Sequence, residues 1–352
     1  MICSAPVGVK LGGPGQFMRV AMTNSLSPAR TPAKFLGIEI GGTKLQIVQG
    51  DAEGTIGRRW RATVDRGRGG PGILEQLRAG IDELTGGGAG GADRPAAIAV
   101  GFGGPVDRST GRVRVSHQIE GWEDFPLRNW VSEAGGAPAV LENDANTAAL
   151  GEALCGAGRG SDPVFYVTLG SGVGGGLVAG GAIYHGASPG EAEFGHVRLD
   201  RDGTTVESRC SGWAVDARVR RLATEEPASF LARSLPSTLG GEARLLAPAL
   251  NAGDPAAGRV IREVAADLAF ALSHAVHLFH PRVIVLGGGL SLVGESLRTA
   301  VAAHLPLHVM EAFAPGPEVR LAALGEDAVP AGALCLAGRA ARFEQGPAAA
   351  LK

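Results

Sequence analysis

The sequence predicts a two-domain α/β protein whose halves are duplicated around a cleft. Three observations carry this. The chain has 352 residues, which at roughly 150 residues per domain suggests two domains. Short apolar strands alternate with helix-length segments along most of it. Residues 35–48 and 164–178 share one pattern of strand, glycine turn and strand, each near the start of a half.

The elements follow in chain order. Residues 35–40 read as a buried strand, Gly41-Gly42 as a turn and 43–48 as a return strand, which is a hairpin signal. Residues 73–84 have helical spacing and stop at the glycine run 86–91. Residues 96–100 form a strand leading into Gly101-Phe102-Gly103-Gly104-Pro105-Val106-Asp107. Residues 139–141 lead into Glu142-Asn143-Asp144, and 145–155 read as a helix. Residues 164–169 and 173–178 form the second hairpin around Gly170-Ser171-Gly172. A long helix spans 260–279, a strand over 283–286 runs into Gly287-Gly288-Gly289, and 331–343 read as a last helix.

Composition narrows the function classes. Hydrophobic residues make up 45% and charged residues 19%, which excludes a chain disordered throughout. The net charge is −2, and no block of five like charges occurs. That argues against nucleic acid or an anionic membrane as the main partner. No apolar run reaches the ~18 residues of a membrane span. Cys3, Cys155, Cys210 and Cys335 are scattered, without a CxxC or a close pair. This argues against a disulfide framework or a Cys-rich zinc site and fits a reducing cytoplasm. Residues 1–34 carry Lys10, Arg19, Arg30 and Lys34 but no acidic residue, among scattered Gly, Pro and Ser. They read as a disordered extension.

Glycine is the outlier, with 56 residues, about 16% where ~7% is usual. No Gly-X-Y period exists, so many glycines serve turns that approach something closely. Three glycine turns follow apolar strands: Gly41-Gly42-Thr43-Lys44, Gly170-Ser171-Gly172-Val173-Gly174 and Gly287-Gly288-Gly289. Each could be a tight turn or a cradle of N–H groups for phosphate, with Thr43 and Ser171 adding hydroxyls. Three at strand ends favour a nucleotide. A P-loop is rejected, because Thr43-Lys44 stand in the reverse of the required order. Residues 170–175 match G-x-G-x-x-G, but the chain continues as a strand where a dinucleotide fingerprint must open a helix.

Leu36-Gly37-Ile38-Glu39-Ile40-Gly41-Gly42-Thr43-Lys44 resembles the first phosphate motif of ROK-family sugar kinases and regulators, within the actin/hexokinase/Hsp70 superfamily. The 101–107 motif, Glu142-Asn143-Asp144-Ala145-Asn146, residues 168–176, Glu193-Phe194-Gly195-His196 and residues 283–289 follow in that family's order and spacing. The resemblance covers about residues 35–343. It implies a two-domain actin-like ATPase (ribonuclease H-like) fold with an interdomain cleft for ATP and sugar. Residues 35–141 would form the small domain, completed by a C-terminal helix over 331–345, and 142–330 the large one. It also implies ATP and Mg²⁺ as cofactors and a homodimer, while the charge balance, apolar runs and cysteine usage above give the expected cytoplasmic location with no nucleic acid or membrane partner.

The chain departs from the pattern at several points. Glu39 stands where Asp is usual, Ser171 where Thr is usual, and the Gln118 region where Asn is frequent. Glu191-Ala192 replace the usual Ala-Gly. The cysteine loop that binds zinc in many relatives is missing after His196, and Cys210 aligns with an Ala-Ser-Gly stretch. A structural site needs four N or S ligands, so no zinc is expected.

Asp144 ends a strand and opens a helix, so it reads either as a helix cap or as a general base held at the cleft mouth. The resemblance assigns it as the base. Asn143, Glu193, His196, Glu207 and Gly104 are then sugar contacts by the same resemblance. Gly41, Gly42, Thr43, Lys44, Gly170, Ser171, Gly172, Gly287 and Gly288 would face the nucleotide. Glu39 would order Mg²⁺ through water, since a buried unpaired carboxylate is otherwise costly. His274, His277 and His280, three residues apart, read as a packed helix face rather than a metal site, and Trp122 and Trp130 as core. The function expected is ATP-dependent phosphorylation of a hexose at its primary hydroxyl, most readily glucose. The alternatives are an N-acetylhexosamine kinase and a catalytically silent ROK sugar-binding regulator. Residues 1–34 are too short and too interrupted for the helix-turn-helix of the family's repressors.

Overall fold

A computed structural model describes residues 33–114, 120–187 and 192–344. Residues 1–32, which hold nearly all of the expected extension, and Gln118 lie outside the described residues. In chain order the strands are β1 Phe35–Ile40, β2 Lys44–Gly50, β3 Ile56–Thr63, β4 Ile98–Phe102, β5 Val106–Asp107, β6 Arg112–Val113, β7 Ala139–Asn143, β8 Val164–Leu169, β9 Val173–Ala179, β10 Ala182–Ile183, β11 Val283–Gly287 and β12 Glu318–Leu321. The helices are α1 Gly69–Thr85, α2 Leu127–Gly135, α3 Asp144–Leu154, α4 Val206–Cys210, α5 Gly212–Glu225, α6 Phe230–Ser234, α7 Leu246–Asn251, α8 Pro255–Phe279, α9 Glu295–His304 and α10 Ala328–Glu344.

The duplication read from the two hairpins extends across two whole sheets. One has the order β3-β2-β1-β4-β7 and the other β10-β9-β8-β11-β12. In each, the first hairpin is antiparallel, β1 with β2 and β8 with β9. The next two neighbours are parallel, β4 then β7 in the first sheet and β11 then β12 in the second. β7 runs through Asn143, two residues past the expected boundary at 141.

Strand alternation decides what each face does. Leu36, Ile38 and Ile40 point into a core closed by Ile73, Leu77 and Ile81 of α1 and Leu127 and Val131 of α2. Phe35 and Val48 face the opposite way, onto Ala333, Leu334 and Ala337 of α10. Glu39 shares that second face by its parity with Phe35, at the end of the strand where α10 begins. In the second sheet Phe165, Val167 and Leu169 pack among α5, α7, α8 and α9, while Val164 and Tyr166 meet α3 and the buried Ala328 and Cys335 of α10.

α3 is buried along almost its whole length, as expected of a helix enclosed on all sides. It contacts β4 and β7 of one sheet, β8 and β9 of the other, and α10. Glycine sets how closely α3 and α10 approach. A Cβ at Gly332 would collide with the Thr147 carbonyl oxygen, and one at Gly151 with that of Ala328.

The long helix begins earlier than its periodicity suggests. Asp254 caps α8 by accepting from the Ala256 N–H, and Pro255 occupies the first helical position. It ends at His280 in the left-handed region, just before Pro281. No helix among the described residues is long and apolar enough to cross a membrane.

Candidate active site

The first glycine turn closes β1 onto β2. The Gly41 N–H donates to the Lys44 carbonyl at 3.0 Å, and the Val64 N–H donates to Thr43 O at 3.0 Å. β4 ends on the first two residues of the 101–107 motif and stops beside this turn, where Gly103 N–H donates to Ile40 O at 2.8 Å. A Cβ on Gly103 would lie 3.3 Å from Asp144 Oδ2 and 3.6 Å from the Gly41 Cα. The Asp144 carboxylate and the first glycine turn therefore both border Gly103.

Asn143, not Asp144, caps α3. Its side-chain oxygen accepts from the Ala145 and Asn146 N–H groups, at 2.9 and 3.1 Å. Asp144 Oδ1 takes a further bond from Ala145 N–H at 2.8 Å, leaving Oδ2 toward the turn. Part of Asp144 remains accessible, yet the surrounding protein strips away much of its solvent. Burial first, then the charge of Glu39 and more weakly that of Glu193, push its carboxyl up to about 7, against the pull of the Ala145 N–H. That lies well above the usual aspartate range.

Glu39 is likewise raised by burial, opposed by Lys44 at 3.4 Å and by a hydrogen bond from the Gln46 amide. Gln46 is fully buried. It also donates to Glu326 O at 3.0 Å and accepts from Arg61 Nε at 3.1 Å. Lys44 thus points to the carboxylate. Gln46 was not singled out from sequence, although a buried polar residue one turn from Glu39 is the type that orients it.

The second and third glycine turns sit side by side on the other sheet, because β8 and β11 are parallel neighbours. Gly170 N–H donates to Gly172 O at 3.0 Å, and Gly212 N–H at the start of α5 donates to Gly170 O at 2.7 Å. The α5 N-terminus therefore abuts the turn that carries Ser171. Gly288 has φ +79°, and a Cβ there would lie 2.6 Å from the Leu169 backbone, so only glycine brings the third turn this close to the second. Glu207 lies across the second turn, its Oε2 accepting from Val173 N–H at 2.9 Å.

Phe194 and Gly195 seat the short turn Phe194–His196 against the second sheet. Phe194 packs edge-on to Phe165, centroids 5.4 Å apart, and both Phe194 and Gly195 are buried. Glu193 and His196 are exposed on either side, and neither side chain forms a hydrogen bond or ion pair with another described residue. Asn143 Nδ2 donates to Gly104 O at 3.4 Å, which joins two of the expected sugar contacts.

Glu142 is a participant that motif reading carried along without a role. This buried carboxylate accepts from Asn143 N–H at 3.0 Å and Asn146 Nδ2 at 3.1 Å. Its other oxygen meets His185 Nε2 at 2.7 Å, with Arg108 Nε at 3.8 Å. His185 follows β10, so the contact ties the second sheet to the strand that ends at Asn143. The separation of 43 positions between the partners hides it from any local pattern.

Of the three spaced histidines, His274 on α8 is half-buried, whereas His277 and His280, which ends the helix, are exposed. His274 is edge-on to Phe270, His280 stacks on Phe313 at 4.1 Å, and His277 accepts from Met310 N–H at 3.1 Å. Trp122 is buried between Phe102 and Phe125, and Arg78 lies over Trp130. The Cys210 thiol packs against the Val264 carbonyl of α8, and burial pushes it up to about 12.

Comparison with known proteins matches residues 35–340 to the ROK family. The glucokinase of Halalkalibacterium halodurans is 31% identical over 305 residues, covering 84% of this chain and 92% of that protein. The glucokinase of Streptomyces coelicolor is 32% identical over 271 residues, covering 74% and 83%. Among solved structures, a ROK family glucokinase from Streptomyces griseus in complex with glucose and AMPPNP superposes with a TM-score of 0.74 at 32% identity, covering 87% of this chain and 99% of that one.

Proposed function

The chain belongs to the ROK family, and from that premise we propose that it is an ATP-dependent hexose kinase acting on the primary hydroxyl of glucose. The observation that carries the reading is the placement of the Asp144 carboxylate beside Gly103, which also borders the first glycine turn, where burial pushes the carboxyl up to about 7. The similarity to glucokinases, one of them solved with glucose and AMPPNP, supports the substrate pair.

Asp144 accepts the proton as the sugar hydroxyl oxygen attacks the γ-phosphorus and the bond to ADP breaks. A base with a pKa near the working pH is well matched to take that proton and later release it. Glycine turns 41–43, 170–172 and 287–288 offer N–H groups to the phosphates, and Lys44 adds a charge. Asn143, Gly104, Glu193 and His196 hold the sugar, and Glu207, with Oε2 on the Val173 N–H, offers it the other carboxylate oxygen. Burial raises the proton affinity of Glu39 and Asp144, the Glu39 and Glu193 charges add to it at Asp144, and Lys44 offsets only part of it at Glu39, so a cation is favoured here. Glu39 would hold Mg²⁺ through water. When bound, Mg²⁺ offsets charge on the transferring phosphoryl group.

An ADP-release assay with MgATP across a panel including glucose, mannose, N-acetylglucosamine and N-acetylmannosamine tests the substrate. Glucose is expected to give the highest kcat/KM, and an N-acetylhexosamine doing so would overturn the assignment. The kcat/KM for glucose is expected to rise with pH through an acid limb near about 7, because the base must be ionised and its pKa is raised. A profile flat down to pH ~5 contradicts Asp144 as the base.

Glu142 and His185 are positioning residues in this reading. His185→Ala is expected to lower kcat/KM by about tenfold, the effect of one lost charged hydrogen bond. The Glu142→Gln/His185→Ala pair should be no worse than the poorer single variant. Additive losses would show that the two act separately.

A further inference from the structure

We propose that Cys155 and Cys335 form a peroxide-sensitive dithiol whose oxidation to a disulfide cross-links α3 to α10 and slows turnover. The two residues stand 180 apart in sequence, yet their sulfurs are 3.6 Å apart. Closing to a disulfide needs a further approach of about 1.5 Å. Cys155 ends α3 and is half-buried, and Cys335 is buried within α10.

The surroundings hold the pair in register. Glu152 on the last turn of α3 accepts from the Ala323 and Leu324 N–H groups at 3.1 and 2.8 Å, just ahead of α10. The turn between β2 and β3 covers both sulfurs, and a Cβ at Gly54 would fall 2.7 Å from Cys155 Sγ and 3.2 Å from Cys335 Sγ. The two thiols differ in reactivity. Cys155 is half-buried, its Sγ 3.1 Å from the Glu53 carbonyl oxygen, and the Arg159 charge draws its thiol down, whereas burial pushes the Cys335 thiol up. Cys155 is therefore the nucleophile and Cys335 the resolving thiol.

The Cys155 thiolate attacks hydrogen peroxide, giving Cys155–SOH and hydroxide. The Cys335 sulfur then attacks that sulfur, its proton leaves with the hydroxyl as water, and the disulfide forms. Two electrons pass from the dithiol to the peroxide. The bond ties the helix that begins with Asp144 to the helix that backs the first sheet, so it opposes any sliding of the two during closure.

The test is limiting hydrogen peroxide on the full-length protein. Titratable thiols should fall from the four of the sequence to about two, the mass by about 2 Da, and peptide mapping should join Cys155 to Cys335. Turnover should fall by at least about twofold and recover with dithiothreitol. Cys335→Ser should lose both the bridge and the reversible inhibition, its Cys155 sulfenic acid being trapped by dimedone. Cys155→Ser, at the less buried position, should be equally insensitive. Sulfinic acid at Cys155 without a bridge, or a bridge to Cys3 or Cys210, would overturn the site. A mapped bridge with unchanged turnover would overturn its control of activity. The mapping does not depend on the kinase reading, so the two can fail separately.

Discussion

Asp144→Ala is expected to lower kcat by about 10³-fold, the loss of the proposed general base, while glucose still binds. Asp144→Asn gives a similar loss of rate and also separates the chemistry from stability. The folded-state pKa is raised from 3.8 to about 7. The stability tied to this group is therefore fully present below the unfolded pKa and lost as pH rises through about 7. Asparagine cannot ionise, so the variant's thermal midpoint should exceed that of the wild type above about pH 7, with the gap closing toward about pH 4. A variant less stable than wild type at pH ~8 would contradict the electrostatic picture.

Gly332→Ala destabilises the protein by about 1–3 kcal/mol, the range for overpacking a tight contact. Helix propensity acts the other way, since alanine is better than glycine in a helix by about 0.5–1 kcal/mol. Packing prevails because the new methyl would collide with a backbone oxygen, that of Thr147, which cannot rotate aside. Gly151→Ala should behave alike from the opposite helix, against Ala328 O. Gly258 on α8 is the control. A Cβ there meets only the flexible end of Arg262 at 3.3 Å, so Gly258→Ala should be neutral or stabilising in the same denaturation series. Equal effects at Gly332 and Gly258 would mean that α3 and α10 do not approach as closely as described.

The hairpins, their glycine turns and the doubled arrangement were legible in the sequence because they are local. A strand's apolar run and the turn that ends it lie within about ten residues, and alternation then fixes its faces. Placement across the fold was not legible. Glycine was read as turn chemistry, but Gly151 and Gly332 serve contact between two helices far apart in the chain. Their positions inside helical segments were the available signal. Asp144 was weighed as a helix cap, whereas Asn143 takes that role one residue earlier; both are favoured cap residues, and backbone geometry decides between them. The four cysteines looked unrelated because their spacing says nothing about the packing of α3 on α10. Glu207 also accepts from the Val173 N–H at the second glycine turn, a backbone contact that no motif records.

Phosphorus–carbon coupling measures the central claim most directly. Glucose labelled at its sixth carbon is incubated with MgATP and the protein, and the product is followed by carbon and phosphorus NMR. The account predicts that the labelled carbon becomes coupled to phosphorus as ADP accumulates, and that Asp144→Asn protein at the same concentration forms almost none of this product. If glucose binds by calorimetry but ADP does not accumulate and the labelled carbon stays uncoupled, or if Asp144→Asn matches the wild-type rate, the account of this cleft as a hexose kinase site driven by Asp144 is contradicted.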